Sequence, residues 1–251
     1  MADSTIEIEN LVKVYHDKAR GEVRAVDGIS FSCRHGEIFG LLGPNGAGKT
    51  TTLRTVSTVL EPTAGLVRVM GMDTSADPVA VRRSIGFYSS TTALFPRLTP
   101  RETLAFFAKV NGYGGDVRDR VEELIDDLDL GGYADVRVER LSQGMKQKVS
   151  LARTVVHDPP VLILDEPTTG LDVLNAREMR DRISTLRHRG KTVLFSTHIM
   201  AEAEKLCDRI AIIHEGRLLG TGTLEELRQR TGERYLEDAF VSLLLKRRAD
   251  G

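Results

Sequence analysis

The amino-acid sequence predicts an α/β protein in which a mainly parallel sheet is interrupted by an inserted block of helices. In the last third, apolar stretches of strand length alternate with helical stretches, a rhythm typical of parallel strands with helices on both faces. A glycine-rich loop near residue 43 follows an apolar strand and leads into a helix. The middle third is helical. Together these observations indicate one sheet assembled from two separate parts of the chain.

The first third is predicted to consist of strands and turns. Thr5–Val14 mixes alternating and continuous apolar residues, and Ile29–Cys33 resembles a second short strand. Ile38–Leu42 is a compact apolar strand that runs directly into Gly43. A helix is expected before the turn at Glu61–Gly65, because apolar residues recur there at helical spacing, namely Leu53, Val56 and Leu60.

A helical block is predicted between about residues 94 and 157. Thr99 is a strong helix start, since Pro100 takes the first helical position and Glu102 closes a capping box. Gly131–Gly132 is expected to end a second helix, whose apolar face consists of Val117, Val121, Leu124, Ile125 and Leu128.

The last third alternates strands and helices. In order, the predicted elements are Val161–Leu164, Leu174–Leu186, Thr192–Ser196, Ile199–Leu206 and Arg209–His214. Residues 224–251 are predicted to form a packing helix whose basic end, Lys246–Arg248, is solvated.

The composition is that of an ordinary globular protein. Hydrophobic residues make up 41%, charged residues 28%, and the formal net charge is -1, which argues against a nucleic-acid or anionic-membrane surface. Two cysteines, Cys33 and Cys207, are too few for a disulfide framework or zinc cluster. The N-terminus lacks a secretory run, and no stretch approaches the roughly 20 apolar residues that cross a bilayer. We therefore expect a soluble chain, with any membrane-spanning part supplied by another chain.

The loop after Leu42 fits the phosphate-binding pattern of glycine, four residues, Gly-Lys-Ser/Thr. Its residues are Gly43, Pro44, Asn45, Gly46, Ala47, Gly48, Lys49 and Thr50. Glycines let successive N–H groups approach a polyphosphate, and a helix beginning near Lys49 directs its positive dipole end there. We expect Lys49 to reach the β and γ oxygens of ATP and Thr50 to ligate Mg²⁺. A glycine-rich turn with an incidental lysine is the weaker alternative.

Acidic and imidazole side chains follow two of the predicted strands. Asp165 and Glu166 end the strand Val161–Leu164, at the sheet edge where open α/β folds bind ligands. Asp165 is suited to hold Mg²⁺ through water, and Glu166 to orient or deprotonate the attacking water. His198 follows Thr192–Ser196 and is predicted to hydrogen-bond the γ-phosphate and the water. The alternatives are solvated acids and a structural histidine.

A further motif precedes the last helical stretch of the middle block and reads Leu141-Ser142-Gln143-Gly144-Met145-Lys146-Gln147. With the phosphate loop, the acidic pair, Gly170-Leu171-Asp172 and His198, it makes the chain resemble ATP-binding cassette (ABC) transporter ATPases over about residues 5–225. The resemblance implies a P-loop NTPase fold of the ABC type, with an antiparallel β subdomain beside the mainly parallel core. It divides the chain into a core at about 1–93 and 158–225, a helical subdomain at 94–157 and a tail at 224–251.

The resemblance also implies partners and further site residues. Two cassettes of this family clamp head to tail around two ATP molecules, so a homodimer is expected. Ser142 and Gly144 would contact the γ-phosphate held by the other chain, and Asp172 would bridge the subunits. Tyr15 matches the aromatic residue that stacks on adenine, although a strand tyrosine packed on the core stays an alternative. Thr51 completes the nucleotide-binding set.

The helical subdomain would dock onto a membrane-spanning permease. This partner implies that the chain lies at the cytoplasmic face of the cell membrane. The family also includes ATPases that act on ribosomes or DNA, and a small-molecule kinase would share the phosphate loop but lack the Leu141–Gly144 motif. We therefore expect a transport ATPase, with those two classes as rivals.

Two segments depart from the family pattern. The signature is usually Leu-Ser-Gly-Gly-Gln, and here Gln143 and Met145 differ while the residues expected to contact phosphate remain. Ser90 stands where the family normally has a glutamine, and a serine is too short to reach Mg²⁺ or the water equally well.

Several runs resemble the sodium-efflux branch of bacterial exporters. These are Thr91–Thr99, His157–Pro160, Ser196–Met200 and Leu206–Asp208. The resemblance implies sodium ion as the cargo, with a drug, lipid or polysaccharide as the alternative.

Overall fold

The computed structural model describes residues 4–17 and 21–250. The predicted polar N-terminus at residues 1–3 and the last residue of the predicted tail, Gly251, lie outside the described residues, as does the side chain of Arg248. In chain order the strands are β1 Ser4–Asp17, β2 Gly21–Arg34, β3 Ile38–Leu42, β4 Ala64–Val69, β5 Met72–Asp73, β6 Ile85–Ser89, β7 Val161–Asp165, β8 Thr192–Thr197, β9 Arg209–His214 and β10 Arg217–Gly222. The helices are α1 Lys49–Val56, α2 Pro78–Ser84, α3 Pro100–Val110, α4 Val117–Asp127, α5 Gln143–Val155, α6 Val173–His188, α7 Met200–Leu206, α8 Leu224–Thr231 and α9 Leu236–Asp250.

A six-stranded sheet of order β10-β9-β3-β8-β7-β6 carries the candidate site. Its neighbouring strands are parallel from β9 to β6, and β10 alone is antiparallel to its neighbour. The strand β7 is buried along its whole length. Val161 and Ile163 pack with α1 and the second sheet, whereas Leu162 and Leu164 pack with α5 and α6 on the opposite face. Burial on both faces explains the continuous apolar runs in the sequence.

A second, antiparallel sheet of order β2-β1-β4-β5 covers the α1 face. The sequence indicated β1 and the end of β2, but not β4, β5 or the first half of β2. The residues in the outer half of β2 are largely exposed, so they lack the alternation that marks a half-buried strand. The mainly parallel core with an antiparallel β portion and a helical middle confirms the predicted fold class.

Two helices end earlier than the apolar spacing predicts. The helix α1 stops at Val56 and leaves Leu60 outside, because Thr58 takes a left-handed conformation with φ 60°. The N–H groups of Val59 and Leu60 both donate to Arg54 O. The helix α4 stops at Asp127, two residues before Asp129 turns left-handed with φ 53°, so Gly131–Gly132 lie in a later 3-10 turn. Local backbone reversals therefore override the apolar pattern.

The helix starts follow the predicted chemistry. Thr99 and Glu102 form both hydrogen bonds of a capping box at α3, with Pro100 in the first turn. The predicted tail forms two helices, α8 and α9, which pack on β9 and β10 through Leu227, Leu236 and Leu243. Among the described residues, no helix combines the length and apolar character needed to span a bilayer.

Candidate functional site

The loop between β3 and α1 has a backbone that admits few side chains. Gly48 precedes α1 with φ 106°, and a Cβ there would lie 2.5 Å from Ala25 O. A Cβ at Gly43 would lie 2.2 Å from Ile213 O. Both distances are far below van der Waals contact, so glycine is required at these two positions. The loop is thus held against β2 and β9 by its own backbone.

Lys49 is a buried cation at the first position of α1, with 4% of its surface exposed. Its Nζ donates to Gly43 O at 2.8 Å and Pro44 O at 3.0 Å. The same Nζ lies 3.2 Å from Glu166 Oε1. Burying an ammonium group is costly unless it is paired, and this carboxylate supplies the partner within the chain itself.

An open pocket of about 150 Å³ lies above the loop. It is lined by Ala25, Asn45, Gly46, Gly48, Lys49, Thr50, Thr51 and Glu166. The other predicted loop residues, Gly43, Pro44 and Ala47, form the frame beneath. Ala47 N–H donates to Pro44 O at 3.2 Å, and Ala47 O accepts from Gly216 N–H at 2.9 Å. The N-terminal end of α1 opens into this pocket, which favours an anionic ligand.

Asp165 is buried at the end of β7 and faces α1. Thr50 Oγ1 donates to Asp165 Oδ1 at 3.2 Å, and Ser196 Oγ donates to the same oxygen at 2.7 Å. A hydroxyl and a carboxylate that converge beside a phosphate loop supply the oxygen ligands that Mg²⁺ prefers. Thr50 and Asp165 therefore fit the predicted metal position.

Glu166 occupies a strained backbone conformation. Its φ is 48°, which costs a non-glycine residue about 1–3 kcal/mol. Its N–H donates to Ser196 O at 3.2 Å and to Ser196 Oγ at 3.1 Å, which holds this conformation. Its Oε2 accepts from Thr169 Oγ1 at 3.0 Å and lies 3.1 Å from His198 Nδ1. One carboxylate oxygen thus faces Lys49 and the other faces His198.

The pKa of Glu166 is lowered from its ordinary value of 4.5. Burial is the largest influence and acts to raise this pKa. The hydrogen bond and charge of Lys49, the Thr169 hydroxyl and the charge of His198 outweigh it. Glu166 is therefore ionised at neutral pH and able to accept a proton.

Tyr15 stands beside the pocket on β1. Its side chain is partly exposed, and its Oη lies 3.5 Å from Thr51 Oγ1. Lys13 Nζ lies 5.6 Å from the centre of the tyrosine ring. An exposed ring next to the phosphate loop differs from a tyrosine packed in the core, so its position favours the predicted contact with a base.

Ser142, Gly144 and Asp172 do not line this pocket. Ser142 caps α5 by accepting from Met145 N–H at 3.3 Å. Gly144 lies against Asn175, whose side chain donates to Asp172 at the start of α6. Hydrogen bonds from the N–H groups of Asn175 and Leu174 help to lower the pKa of Asp172, the Asn175 N–H being the largest influence. The three residues form a separate surface at the N-terminal ends of α5 and α6.

Ser90 is exposed in the turn that follows β6. The residue whose backbone faces Asp165 across the sheet is Ser89, and its Oγ lies 2.9 Å from Thr91 Oγ1. A cavity of about 250 Å³ separates this turn from Gln143 and Gln147 of α5. Among the described residues, the side chains that hydrogen-bond to Asp165 are Thr50 and Ser196, and neither belongs to this turn.

Sequence reasoning missed Ala25, Ser196 and Thr169. Ala25 shapes the floor of the phosphate loop, but nothing in the exposed half of β2 marks it. Ser196 forms hydrogen bonds with both Asp165 and Glu166. Its place near the end of an apolar strand, two residues before His198, could have predicted a position at the site. Thr169 contacts Glu166 from three residues downstream.

Comparison with known proteins agrees with this geometry. Residues 26–169 match the family model described as ABC transporter. The chain is 39% identical over 234 residues to the ABC transporter ATP-binding protein NatA of Bacillus subtilis, covering 92% of this chain and 95% of that protein. It is 40% identical over 232 residues to the daunorubicin/doxorubicin resistance ATP-binding protein DrrA of Streptomyces peucetius, covering 92% and 69% respectively.

Solved structures give the same result. An ATP-binding subunit of an ABC transporter superposes with a TM-score of 0.86 at 30% identity, covering 96% of this chain and all of that one. A dimeric ATP-binding cassette in a post-hydrolysis state, bound to ADP and Pi, superposes with a TM-score of 0.80 at 26% identity, covering 87% and 98%. The family match spans more than half of the sequence and includes the phosphate loop and the acidic pair. This chain therefore belongs to the ABC transporter family, as an ATP-hydrolysing ATP-binding subunit of the exporter type.

Proposed function

We propose that two copies of this chain close head to tail around two Mg·ATP and that hydrolysis reopens them to drive an exporter. One observation carries the proposal. Lys49 Nζ lies 3.2 Å from Glu166 Oε1, and both residues line the pocket of the phosphate loop. A γ-phosphate bound at Lys49 would stand next to the proposed base. The dimeric cassette with a TM-score of 0.80 supports the paired arrangement.

Thr50 and Asp165 would hold Mg²⁺, since their oxygens already converge at 3.2 Å. The ion would neutralise charge that develops on the β and γ oxygens during phosphoryl transfer. The remaining ligands in such sites are phosphate oxygens and water.

Lys49, Glu166 and His198 have separate roles in the proposed hydrolysis. Lys49 exchanges its contact with Glu166 for the phosphate oxygens of ATP, which frees Oε1 of the carboxylate. Glu166 orients a water molecule and accepts its proton as the water oxygen attacks the γ-phosphorus and the bond to ADP breaks. His198 stays on the other carboxylate oxygen, 3.1 Å away.

The second surface completes the site of the partner copy. Ser142 contributes a hydroxyl at the start of α5, and Gly144 leaves the backbone of that turn accessible. A helix N-terminus with a hydroxyl and free N–H groups suits the γ-phosphate held by the other chain. Asp172 would bridge the two copies at the start of α6.

The Glu166→Gln variant tests the cycle. Glutamine keeps the shape of the side chain but cannot take the proton, so turnover is expected to fall by about 10²–10⁴-fold while ATP stays bound. Closed dimers should then accumulate and elute earlier from a sizing column in Mg·ATP than in Mg·ADP. Glu225→Gln, an exposed position on α8, is the matched control and should behave as wild type. Normal turnover in Glu166→Gln would remove Glu166 from the base role.

We further propose that the helical middle of the chain docks onto a membrane-spanning permease, which would place the ATPase at the cytoplasmic face of the membrane. Three aromatic rings meet there, with centroids of Phe95, Phe106 and Phe107 between 5.2 and 6.2 Å apart. Phe95, Phe106 and Val110 are 49%, 45% and 63% exposed. An exposed apolar cluster of this kind favours a protein partner.

Co-expression of this chain with the proposed permease, followed by co-purification, tests this docking. Phe106→Asp is expected to release the ATPase from the membrane fraction without changing ATP binding by the isolated subunit. Val79→Asp, equally exposed on α2, is the control and should remain attached. The docking would be contradicted if Phe106→Asp still co-purified with the permease. It would also be contradicted if the wild-type chain co-purified with ribosomes or DNA and not with a permease.

For the cargo we propose sodium ion, on the resemblance of Thr91–Thr99 and Ser196–Met200 to the sodium-efflux branch. Drug export is the second candidate, favoured by the 40% identity to a daunorubicin/doxorubicin resistance protein. Inverted vesicles that contain the complex should accumulate Na⁺ when given ATP, and vesicles with Glu166→Gln should not. Transport of an anthracycline without Na⁺ movement would select the drug instead.

A further inference from the structure

Glu202 is a buried carboxylate that the mechanism above does not use. It lies on α7 with 5% of its surface exposed. Its Oε2 accepts from Thr168 Oγ1 at 2.8 Å and from Thr197 Oγ1 at 3.2 Å. Its Oε1 accepts from Arg180 Nη1 of α6 at 2.9 Å. Both oxygens are therefore bound, and each contact reaches a different segment of the chain.

The two threonines are close in sequence to the proposed catalytic pair, Thr168 in the turn after β7 and Thr197 at the end of β8. Thr168 lies two residues after Glu166, and Thr197 immediately precedes His198. Glu166 and His198 meet at 3.1 Å, and Glu166 also lines the pocket. Glu202 joins the same two segments from the buried side. One oxygen of Glu202 thus links the segment that carries Glu166 to the segment that carries His198, and the mechanism requires these two side chains to keep a fixed separation.

The other oxygen extends the link to α6. Arg180 lies on the helix that begins directly after Asp172, the residue proposed to bridge the two copies. Thr197 Oγ1 in turn accepts from Ile199 N–H at 3.0 Å, which fixes the turn that follows His198. A buried ion pair adds little net stability over apolar residues of similar volume, so stability alone does not account for a charge at this place.

We propose that Glu202 is a positioning residue for hydrolysis, which holds the Glu166 and His198 loops at the spacing the attacking water requires. The proposal rests on the roles given to Glu166 and His198 under the proposed function. It assigns Glu202 no contact with ATP, so its loss should change turnover and leave nucleotide affinity unaltered. Misplacement of a reacting group by about 1 Å can cost on the order of 10²-fold in rate.

The test compares steady-state ATP hydrolysis in three variants. Glu202→Ala removes all three contacts and should lower kcat by about 10–100-fold while KM for ATP stays within about twofold. Glu202→Gln keeps the length, and its amide oxygen can accept from Arg180 while its NH2 donates to the threonine hydroxyls, so it should recover part of the lost kcat. Glu204→Ala is the matched control, because Glu204 lies on the same helix and accepts from Leu236 N–H of the tail at 2.8 Å. It should keep wild-type kcat.

Thr168→Val covers the case in which Glu202→Ala does not fold. It removes one hydroxyl with little change in volume, and a lower kcat at unchanged KM is expected. In the His198→Ala background, Glu202→Ala should cost clearly less than in wild type, since the two act through the same geometry.

Two outcomes would overturn the inference. One is wild-type kcat in folded Glu202→Ala and Thr168→Val. The other is a loss of kcat in Glu202→Ala that Glu204→Ala matches at equal loss of thermal stability. Glu166→Gln belongs in the same series, because normal turnover there contradicts the proposed base role itself. An inactive Glu166→Gln beside a normal Glu202→Ala removes only the role of Glu202.

Discussion

Lys49 and Glu166 form a contact that the proposed binding of ATP would break. The ammonium group is buried and is paired with the carboxylate proposed to activate water. While the pair persists, one oxygen of Glu166 is occupied and its pKa is lowered, so it is a weaker base. In the proposed mechanism, a γ-phosphate that draws Lys49 away would raise the basicity of Glu166.

Lys49→Ala should abolish Mg·ATP binding at nucleotide concentrations that saturate the wild type. The variant removes the cation proposed to neutralise the β and γ oxygens, and within residues 4–17 and 21–250 no other lysine or arginine lines the pocket. Titration calorimetry measures the affinity. Lys191→Ala is the control, because Lys191 is also paired with a carboxylate, Asp158 at 2.6 Å, but away from the loop. Retained tight binding in Lys49→Ala would refute the loop assignment.

The lowered pKa of Glu166 predicts a pH dependence of stability in the absence of nucleotide. A carboxyl whose folded pKa lies below its unfolded value of 4.5 stabilises the fold above that value and loses this contribution as pH falls through the folded pKa. The free energy of unfolding of wild type minus that of Glu166→Gln should therefore shrink as pH is lowered from 6 towards 3. Urea unfolding at each pH measures it, and a difference that grows on acidification would contradict the pairing with Lys49.

At the scale of elements, the sequence was most informative where capping residues mark the start of a helix or continuous apolar residues mark a buried strand. The strands β3, β7 and β8 were predictable because burial on both faces requires continuous apolar residues. The strands β4, β5 and β10 were not, since each pairs in an antiparallel manner at or near a sheet edge and none is buried along its whole length. The ends of α1 and α4 depend on Thr58 and Asp129, whose left-handed conformations carry no glycine signal.

The capping box of α3 should be measurable as stability. Thr99→Ala removes the hydroxyl that accepts from Glu102 N–H and should lower the free energy of unfolding by about 1 kcal/mol. Thr223→Ala, in the matching capping box of α8, should cost a similar amount. Thr185→Ala is the control in the exposed interior of α6, where the change is expected to be within about 0.5 kcal/mol. A neutral Thr99→Ala in urea unfolding would contradict the assignment.

At the scale of the whole molecule, the sequence predicted which groups meet but not how they are held. Parallel strands bring Asp165, Glu166 and His198 to one edge, and the position of the phosphate loop at the end of β3 follows from the same rule. The strained backbone of Glu166 and the carboxylate of Glu202 depend on contacts between distant segments, which have no local sequence signature. The roles of the site residues and the bounds of the helical subdomain stay predictions.

Nucleotide should stabilise the entire fold. In Glu166→Gln, which prevents turnover, Mg·ATP at 100 times its Kd should raise the free energy of unfolding by about 2.7 kcal/mol. Calorimetric melting should show a higher Tm that keeps rising with ATP concentration. The double variant with Lys49→Ala should show no shift, and an equal shift there would place the nucleotide elsewhere.

The glycine backbones beneath the phosphate loop have a consequence for assembly of the chain. Gly48 and Gly216 both approach Ala25 O so closely that an added Cβ would lie 2.5 and 2.9 Å away, although the three residues are far apart in sequence. The backbone beneath the phosphate loop therefore forms only when β2 and the turn between β9 and β10 are both packed against it. Contacts between such distant segments carry a loop-closure entropy cost, which slows folding. Binding of a nucleotide at this loop would therefore require both distant segments to be in place.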